Sequence, residues 1–314
     1  MLGYIFKRIF MTIPVMVVVA LFVFLLLRLS PGDPAAVIAG DYATAEDVQK
    51  IREKLGLSEP IVVQFVTWLG SLIQGDLGTS IFSNKPVTEL IAQRLEPTLM
   101  LALTTIIFSI LVAVPLVTIA AFRAGSWIDR LVMLFSVGGF SIPVFVLGYI
   151  LIYYFSITWR ILPVQGYRSP FEDGMLPFIQ HIILPTLTLS VIYIALLARM
   201  TRASVMEVLE EDYIRTARAK GLSEVKILMR HALGNAAVPI VTVIGIGIAL
   251  LIGGVVVTES VYNIPGLGRL VLDAVLARDY PIIQGLILFF SLIYVLLNLI
   301  IDLTYTLFDP RIKY

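Results

Sequence analysis

Residues 131–159 read LVMLFSVGGFSIPVFVLGYILIYYFSITW, without a single Asp, Glu, Lys or Arg. Five further runs of at least 19 residues share this property: 9–27, 97–122, 174–198, 231–258 and 280–301. A 19-residue α-helix is roughly 29 Å long, which is enough to cross the hydrocarbon core of a bilayer. Membrane β-strands would be about half as long and would alternate in polarity, which these runs do not. The sequence therefore predicts an all-α integral membrane protein with six transmembrane helices.

The composition of the whole chain agrees with this prediction. Of its 314 residues 59% are hydrophobic, and a net charge of +1 gives no field that would attract nucleic acid or an acidic partner. The lack of cysteine excludes disulfides, thiol catalysis and cysteine-ligated metal sites. Lys7 and Arg8 precede the first run as they would in a signal peptide, but the run is too long and no small-residue cleavage site follows closely. We expect an uncleaved first helix.

Lys and Arg are distributed unevenly between the two sides of this topology. With six spans both termini share one side, which carries thirteen Lys and Arg residues, whereas the two short opposite loops carry four. Under the positive-inside rule the richer side faces the cytoplasm, so both termini are expected there. The predicted regions are an N-terminal tail and first helix (1–30), an extracytoplasmic helical segment (31–96), a five-helix core with the cytoplasmic loop 201–235 (97–306), and a cytoplasmic tail (307–314).

The outer segment carries helical signals. TAEDVQKIREKLG (44–56) opens with a capping-box pattern formed by its first and fourth residues and ends with glycine. PIVVQFVTWLGSLIQG (60–75) places Phe65 and Trp68 on one apolar stripe, which either packs on the external mouth of the protein or lies at the membrane interface. After further turn residues a short helix is expected from Pro86.

Small residues and prolines mark the spans. Gly245, Ala249 and Gly253 recur at every fourth position, so they form a seam where another helix can approach closely, inside the subunit or from a second membrane subunit. Prolines within the spans are either kinks tolerated by their neighbours or hinges for a conformational change. These prolines are Pro115, Pro143 and Pro185.

Ionisable residues are nearly absent from the middle of the spans. A proton- or sodium-driven carrier usually needs a carboxylate or a histidine at depth, so their scarcity disfavours such a carrier. Three ionisable residues are expected at or near the ends of runs, where water or headgroups are available: His181, Glu259 and Asp302.

Charge is concentrated in the loop 201–235, which holds eleven of the Asp, Glu, Lys and Arg residues. Glu211 and Arg215 are spaced for an i,i+4 ion pair on a helix. Gly221 can end that helix in the left-handed conformation, and Ser223 can cap the next one. The pattern predicts a helix, a glycine elbow and a second helix. A solvated loop without a partner would also account for the charge.

The stretch EDYIRTARAKGLSEVKILMRHALGNAAVPIVTVIG (211–245) resembles the cytoplasmic signature of permease subunits of ATP-binding-cassette (ABC) importers. Further stretches resemble the branch for dipeptides, oligopeptides, glutathione and nickel, and most closely its first dipeptide-permease subunits. They are PGDPA (31–35), GDLGTS (75–80), ESVYNIPGLGRLVLDAVLARDYPIIQG (259–285) and DPRIKY (309–314). Of the general importer signature, Ala217, Gly221 and Leu233 match. Four positions depart from it: Arg215, Thr216, His231 and Gly234.

This resemblance implies a type I importer fold in the bacterial inner membrane and a coupling helix seated in a groove of an ATPase subunit. It also implies several partners, namely a second homologous permease, two cytoplasmic ATP-binding subunits, an external substrate-binding protein and membrane lipid. Tyr213 and Ile214 would be apolar anchors of the coupling helix, on an edge shared with Ala217 that the membrane domain need not bury. Arg215 and Arg218 would be polar anchors. The expected contact comprises Glu211, Asp212, Tyr213, Ile214, Arg215, Thr216, Ala217, Arg218, Ala219, Lys220 and Gly221.

The chain lacks the Gly-x-x-x-x-Gly-Lys-Ser/Thr phosphate loop, so ATP and magnesium are expected on partner subunits, with no cofactor and no catalysis in this chain. The cargo implied is a short peptide, including glutathione, with nickel chelates as an alternative. An ATP-independent carrier or channel, and a structural or signalling subunit, are rival interpretations. The segment 259–281 is expected to be an external gate or receptor-docking surface, or else a cap over helix ends.

Overall fold

The computed structural model of the chain describes residues 2–29, 34–39, 43–54 and 56–308. All regular elements in these ranges are helical, apart from one isolated bridge between Thr79 and Pro86, so the all-α prediction is confirmed. The start of PGDPA (31–33), the tail DPRIKY (309–314) and the side chains of Asp47 and Ala249 lie outside what is described.

The helices follow one another with short connections. Those of the first half are α1 (Leu2–Leu29), α2 (Pro34–Ala39), α3 (Ala45–Lys54), α4 (Ile61–Ile73), α5 (Val87–Phe122), α6 (Trp127–Ser141) and α7 (Val144–Leu151), which continues as a π-helical segment (Ile152–Thr158). Those of the second half are α8 (Met175–Leu209), α9 (Asp212–Ala219), α10 (Glu224–Lys226), a π-helical segment (Ile227–Ala232), α11 (Leu233–Val261), α12 (Leu267–Ala277) and α13 (Tyr280–Phe308).

Four helical stretches in the described ranges are long and apolar enough to cross a membrane: Val87–Phe122, Met175–Leu209, Glu224–Ile248 and Tyr280–Thr304. A fifth span results if α6 and α7 are taken together, although they meet at 102°. The run 9–27 lies within α1, but the described apolar stretch of this helix, Phe10–Leu26, is shorter than the 18 residues that the four spans exceed. The count of six spans therefore stays a prediction.

A sharp bend of 102° separates α6 from α7 at Pro143, one of the prolines for which the sequence predicted a kink or a hinge. Ile142 is extended, with φ −92° and ψ 121°, and Pro143 follows as the residue that caps α7. Proline disfavours the helical conformation in the residue before it, so the helix ends there and starts anew. Pro115 and Pro185, in contrast, lie inside continuous helices.

Two helices extend beyond the predicted limits. The short helix expected from Pro86 is the first part of α5, which continues through Pro97 into the span. Likewise, residues 201–209 of the charged loop are the end of α8, so the loop itself starts at Glu210. In both cases one continuous helix contains the predicted span and part of the adjoining loop segment. The direction of the helix therefore fixes the direction in which the chain continues into the loop.

One compact unit comprises Met1–Leu95 and Leu270–Leu296. Its core joins Ala20 and Val23 of α1, residues of α4, and Leu288 of α13. Two motifs noted in the sequence also meet here, because the Ser80 hydroxyl donates a 2.6 Å hydrogen bond to the buried carboxylate of Asp279. GDLGTS is thereby anchored to the ARDYP part of the later motif.

The other unit comprises Glu96–Arg269 and Leu297–Tyr314 and is centred on α8, which packs against α6, α7 and α11. A Cβ atom on Gly245 would overlap Ile301 of α13, whereas a Cβ on Gly253 would meet open space. The seam predicted on α11 therefore packs inside the subunit at Gly245. Gly247 lies against the ring of Tyr193, where an added Cβ would also overlap, and the Tyr193 hydroxyl donates to the carbonyl of Ile244 at 2.7 Å.

Candidate functional site

The charged loop begins with α9, the helix predicted for the coupling role. Glu211 precedes it in an extended conformation, and Asp212 lies in its first turn, where a carboxylate is favourable to the helix dipole. Arg215 forms its ion pair with Asp212, at 3.2 Å, and not with Glu211 as its spacing suggested. The predicted i,i+4 pair is therefore wrong, and an exposed i,i+3 pair replaces it.

The elbow after α9 is a Schellman motif. Gly221 has φ +77°, as predicted. Its N–H donates to the carbonyl of Arg218 at 2.9 Å, and the N–H of Leu222 donates to Ala217 at 3.3 Å. These two bonds and the Leu222–Ala217 apolar contact are the usual form of this helix ending. Because a side chain at positive φ is strained, the turn favours glycine.

The apolar edge of α9 faces inward. Ile214 is completely buried and Ala217 nearly so, in a cluster with Ile227 that Leu209 and Leu222 complete. The expectation that this edge stays free for a partner is therefore wrong for Ile214 and Ala217. Truncating a buried isoleucine of this kind costs about 2–5 kcal/mol, so the cluster holds α9 firmly on the ends of α8 and the π-helical segment.

An ion pair closes the elbow on its outer side. The guanidinium of Arg218 donates to both carboxylate oxygens of Glu224, at 3.0 and 3.4 Å, across Gly221. Ser223 lies at the start of α10 as predicted, but its side chain makes no capping bond. The two helices are thus joined by a glycine turn, a small apolar core and a bidentate pair, which makes the loop stiff.

The opposite surface of the loop is open to a partner. Of the expected contact residues, those exposed are Glu211, Asp212, Tyr213, Arg215, Thr216, Arg218, Ala219, Lys220 and Gly221. Tyr213 is the large apolar side chain among them. Partial burial, and after it the Glu211 carboxylate, raise the pKa of the Tyr213 phenol, which the side chain of Asn235 partly offsets. The phenol is therefore neutral at physiological pH.

A second constellation surrounds Glu259, at the end of α11. Its side chain is fully buried, which corrects the expectation that water or headgroups solvate it. Its carboxylate accepts from the Thr98 hydroxyl at 2.6 Å and from the backbone N–H of Arg269 at 3.0 Å. Thr98 in turn accepts from the N–H of Leu267 at 2.8 Å. Glu259 and Thr98 therefore accept hydrogen bonds from two of the N–H groups that are left free at the start of α12.

Two glycines give α12 room to approach this carboxylate. A Cβ on Gly266 would overlap the carboxylate of Glu259, and one on Gly268 would lie 2.6 Å from the Cα of Val256. The motif ESVYNIPGLGR thus contains both the carboxylate of Glu259 and the two glycines that allow the first turn of α12 to pack directly against it. This geometry favours the expected cap over helix ends for the first part of the segment 259–281.

Glu96, two residues before Thr98, holds another loop. Its carboxylate accepts from the hydroxyl groups of Tyr167 and Ser169 at 2.9 and 2.6 Å. Burial, and after it the bond to Glu96, raise the pKa of the Tyr167 phenol, so Tyr167 acts as a donor at any physiological pH. Two residues of α5 therefore hold other parts of this unit through hydrogen bonds. Glu96 holds the loop that contains Tyr167 and Ser169, and Thr98 holds the connection between α11 and α12.

Comparison with known proteins gives the family. Residues 113–314 match the family described as binding-protein-dependent transport system inner membrane component, and residues 1–104 match the N-terminal part described for the same systems. The chain belongs to this permease family. A probable peptide ABC transporter permease of Sinorhizobium fredii is 57% identical over 99% of both chains. A putative peptide transport system permease of Brucella abortus and a glutathione transport system permease of Escherichia coli are 45% and 44% identical over 100% of both chains.

The permease fold is also that of a solved transporter chain. A chain of the MetNI methionine ABC transporter, in an inward-facing conformation, superposes with a TM-score of 0.57 at 17% identity, covering 71% of this permease and 97% of that chain. The comparison confirms the type I permease fold expected from the sequence motifs. The family and the several apolar helices together identify this chain as a multi-pass membrane subunit of an ABC importer system.

The ion pair between Arg202 and the buried Asp129 was not predicted from the sequence. Arg202 of α8 donates to both carboxylate oxygens of Asp129 at the start of α6, at 2.6 and 2.8 Å, and Gly125 adds its N–H at 2.9 Å. The available signal was an Asp and an Arg flanking two predicted spans on the same side. Such flanking charges are usually solvated, and only the packing of α6 on α8 brings these two together.

No metal site is evident in the part of the permease that the structure describes. There, no three His, Asp or Glu side chains are grouped closely enough to hold an ion. His181 makes a 2.8 Å bond from its ring to the carbonyl of Pro177 within the same helix.

Proposed function

We propose that this chain is the membrane-spanning permease of an ATP-driven importer for short peptides, working with a second homologous permease, two ATP-binding subunits and an external substrate-binding protein. The observation that carries the substrate class is full-length similarity to permeases named for peptides and glutathione, at 44–57% identity. Nickel chelates, implied by the resemblance of the motifs, remain the second candidate cargo. Both termini are placed in the cytoplasm, in keeping with the Lys and Arg distribution.

The proposed contact with an ATP-binding subunit is the exposed surface of residues 211–221. A helix that is to transmit force must not bend relative to the membrane domain, and the buried Ile214 together with the Arg218–Glu224 pair supports this stiffness. Tyr213 is the proposed apolar anchor. Ile214, completely buried, acts from inside by fixing the orientation of α9.

ATP-driven movement would reach the membrane through two helices. The cluster around Ile214 includes Leu209, the last residue of α8, and Ile227, the first of the π-helical segment before α11. A displacement of α9 is therefore applied to both helices at once. ATP and magnesium belong to the partner subunits in this proposal, and the permease supplies the path and the lever.

The test is purification of the complex from native membranes through a tag on this chain, followed by reconstitution into liposomes with its receptor. Co-isolation of ATPase subunits, and ATP-dependent uptake of radiolabelled glycyl-leucine or glutathione, are expected. Uptake of a nickel–histidine chelate but of neither peptide would favour the second candidate. Isolation without an ATPase, with uptake that ignores ATP, would overturn the proposal in favour of a carrier or channel.

A further inference from the structure

Helix α4 (Ile61–Ile73) carries apolar side chains on the face that packs inward and also on the opposite, exposed face. The stretch 60–75 has no Asp, Glu, Lys or Arg, although Glu59 and Asp76 border it directly. One face packs inward. The other exposes aliphatic side chains to a degree that is unusual outside a membrane. Their exposed fractions are 69% for Val62, 62% for Val66 and 81% for Ile73.

The inward face of α4 packs on two other helices of its unit. The ring centroids of Phe65 and Phe24 are 5.1 Å apart, and those of Trp68 and Phe24 are 5.6 Å apart. Trp68, Leu69 and Leu72 also pack on the cluster of Ala20, Val23 and Leu288. The aromatic stripe of α4 therefore packs against α1 and α13, and not on an external mouth.

The positions of these contacts along α1 and α13 give the depth of α4. Ala20 and Val23 lie four to seven residues inside the charge-free run 9–27, and Leu288 lies eight residues inside the run 280–301. At ~1.5 Å per residue these contacts are about 6–12 Å below the ends of the apolar stretches. Half of a hydrocarbon core is ~15 Å thick, so the contacts fall within one leaflet.

The polar groups of α4 suit such a location. The Gln64 amide donates to the carbonyls of Leu57 and Glu59 at 3.2 and 2.7 Å, and the Gln74 amide donates to Gly70 at 3.2 Å. The helix satisfies most of its own backbone groups, as a segment in lipid must. With 13 residues it is only ~20 Å long, too short to cross the bilayer.

We propose that α4 is embedded in one leaflet of the bilayer, with Val62, Val66 and Ile73 in contact with lipid acyl chains. On the predicted topology this is the outer leaflet. The outward face continues the exposed apolar surface of α1, where Val18 and Phe22 point away from the core. In water these side chains would lack the favourable free energy of burial, and lipid acyl chains supply it without any protein partner.

The embedded helix would hold the outer segment at a fixed depth. α4 connects directly to the Gly75–Ser80 turn, which Asp279 anchors through Ser80. A membrane-fixed α4 and an anchored turn leave this part of the permease little freedom to rise from the membrane surface. The inference does not depend on the cargo or on the coupling mechanism.

Site-directed spin labelling tests the proposal directly, because the chain contains no cysteine. Single variants Val62→Cys and Val66→Cys are labelled in the intact transporter, reconstituted in phosphatidylcholine–phosphatidylglycerol liposomes. Accessibility to oxygen, which concentrates in lipid, is compared with accessibility to nickel–EDDA, which stays in water. Leu292→Cys on the exposed side of α13 is the lipid reference, and Gln49→Cys on the exposed surface of α3 is the aqueous reference.

The expected result is a ratio of oxygen to nickel–EDDA accessibility at 62 and 66 that matches position 292 and is severalfold above that at position 49. A ratio equal to that at 49 would overturn the proposal, since α4 would then face water. Low accessibility to both reagents at 62 and 66, with 292 unchanged, would also overturn it, because a protein surface would cover the face. All labelled positions are exposed, so these variants are expected to fold.

Discussion

The Thr98 hydroxyl lies 2.6 Å from Oε1 of Glu259, 161 residues further along the chain, and simultaneously accepts the backbone N–H of Leu267. One small side chain thus joins the end of α11 to the start of α12. The carboxylate is completely buried, so each of its hydrogen bonds offsets part of a large desolvation cost. The stability of this corner of the permease should depend strongly on the threonine hydroxyl.

Replacing Thr98 by Val keeps its shape and removes the hydrogen bonds with Glu259 and with the N–H of Leu267. We expect the free energy of unfolding to fall by about 1–3 kcal/mol, because a buried N–H group and a carboxylate each lose a hydrogen-bond partner. Thr98→Ser should recover most of it. Thr118→Val is the control, because Thr118 is buried on α5 and its hydroxyl donates to the Val114 carbonyl within its own helix. Thermal unfolding of the purified complex measures the effect, and equal losses at 98 and 118 would contradict it.

The glycines of the α12 corner predict steric sensitivity. Gly266→Ala and Gly268→Ala should both prevent correct folding, because the added methyl would meet the Glu259 carboxylate or the backbone of Val256. Gly138→Ala, in α6, has open space around the new methyl and should be neutral or stabilising. The fraction of monodisperse complex in gel filtration is the measurement. Normal yields for all three variants would show that α12 does not approach Glu259 as closely as described.

Asp279 anchors the outer motif, so Asp279→Asn should loosen it. The amide has one acceptor oxygen in place of two, so it cannot accept from the Ser80 hydroxyl and the N–H of Ile81 with separate oxygens, as the carboxylate does at 2.6 and 3.4 Å. Chymotrypsin cleavage after the exposed Phe82 is expected to become faster. Asp273→Asn is the control, since that carboxylate is half-exposed and pairs with Arg94 at 3.8 Å. Equal cleavage rates in both variants would count against an anchoring role.

The elbow at Gly221 provides a test of coupling. Gly221→Pro forces φ to about −65° and removes the N–H that bonds to Arg218, so uptake should be lost while ATP hydrolysis continues. Gly56→Pro is a matched control, because Gly56 has φ +64° and ends α3 with the same pair of backbone bonds in the outer segment. Arg215→Glu, which turns the pair with Asp212 into a repulsion, should also uncouple. Uptake per ATP is the measurement, and wild-type values for Gly221→Pro and Arg215→Glu would refute the coupling role.

The sequence predicts well those features that a bilayer or a single residue imposes. Charge-free runs correspond to helices because hydrocarbon excludes charges and fixes the minimum length of a span. Gly221 was predictable because a helix that ends in the left-handed conformation favours glycine. The break at Pro143 was not, because a proline within an apolar run is compatible with a tolerated kink, as at Pro115, or with two helices at 102°.

Contacts between side chains that are far apart in the sequence could not be predicted. Glu259 at the end of a run reads as a solvated carboxylate, and its burial depends on Thr98 and on two glycines whose contacts exist only after folding. Ile214 reads equally well as an anchor for a partner or as a core residue. What decides the matter is Ile227, which the turn at Gly221 brings back against it.

The Ser80–Asp279 bond also sets an order for biogenesis. Ser80 leaves the ribosome 199 residues before its acceptor, so the GDLGTS turn must wait through the insertion of most of the chain, held by its own backbone bonds such as that from Ser80 to Lys85. Asp279, the residue directly before α13, supplies the missing carboxylate. A chain stalled before residue 279 therefore lacks the acceptor of the Ser80 hydroxyl, and the turn has this bond only once Asp279 has been translated.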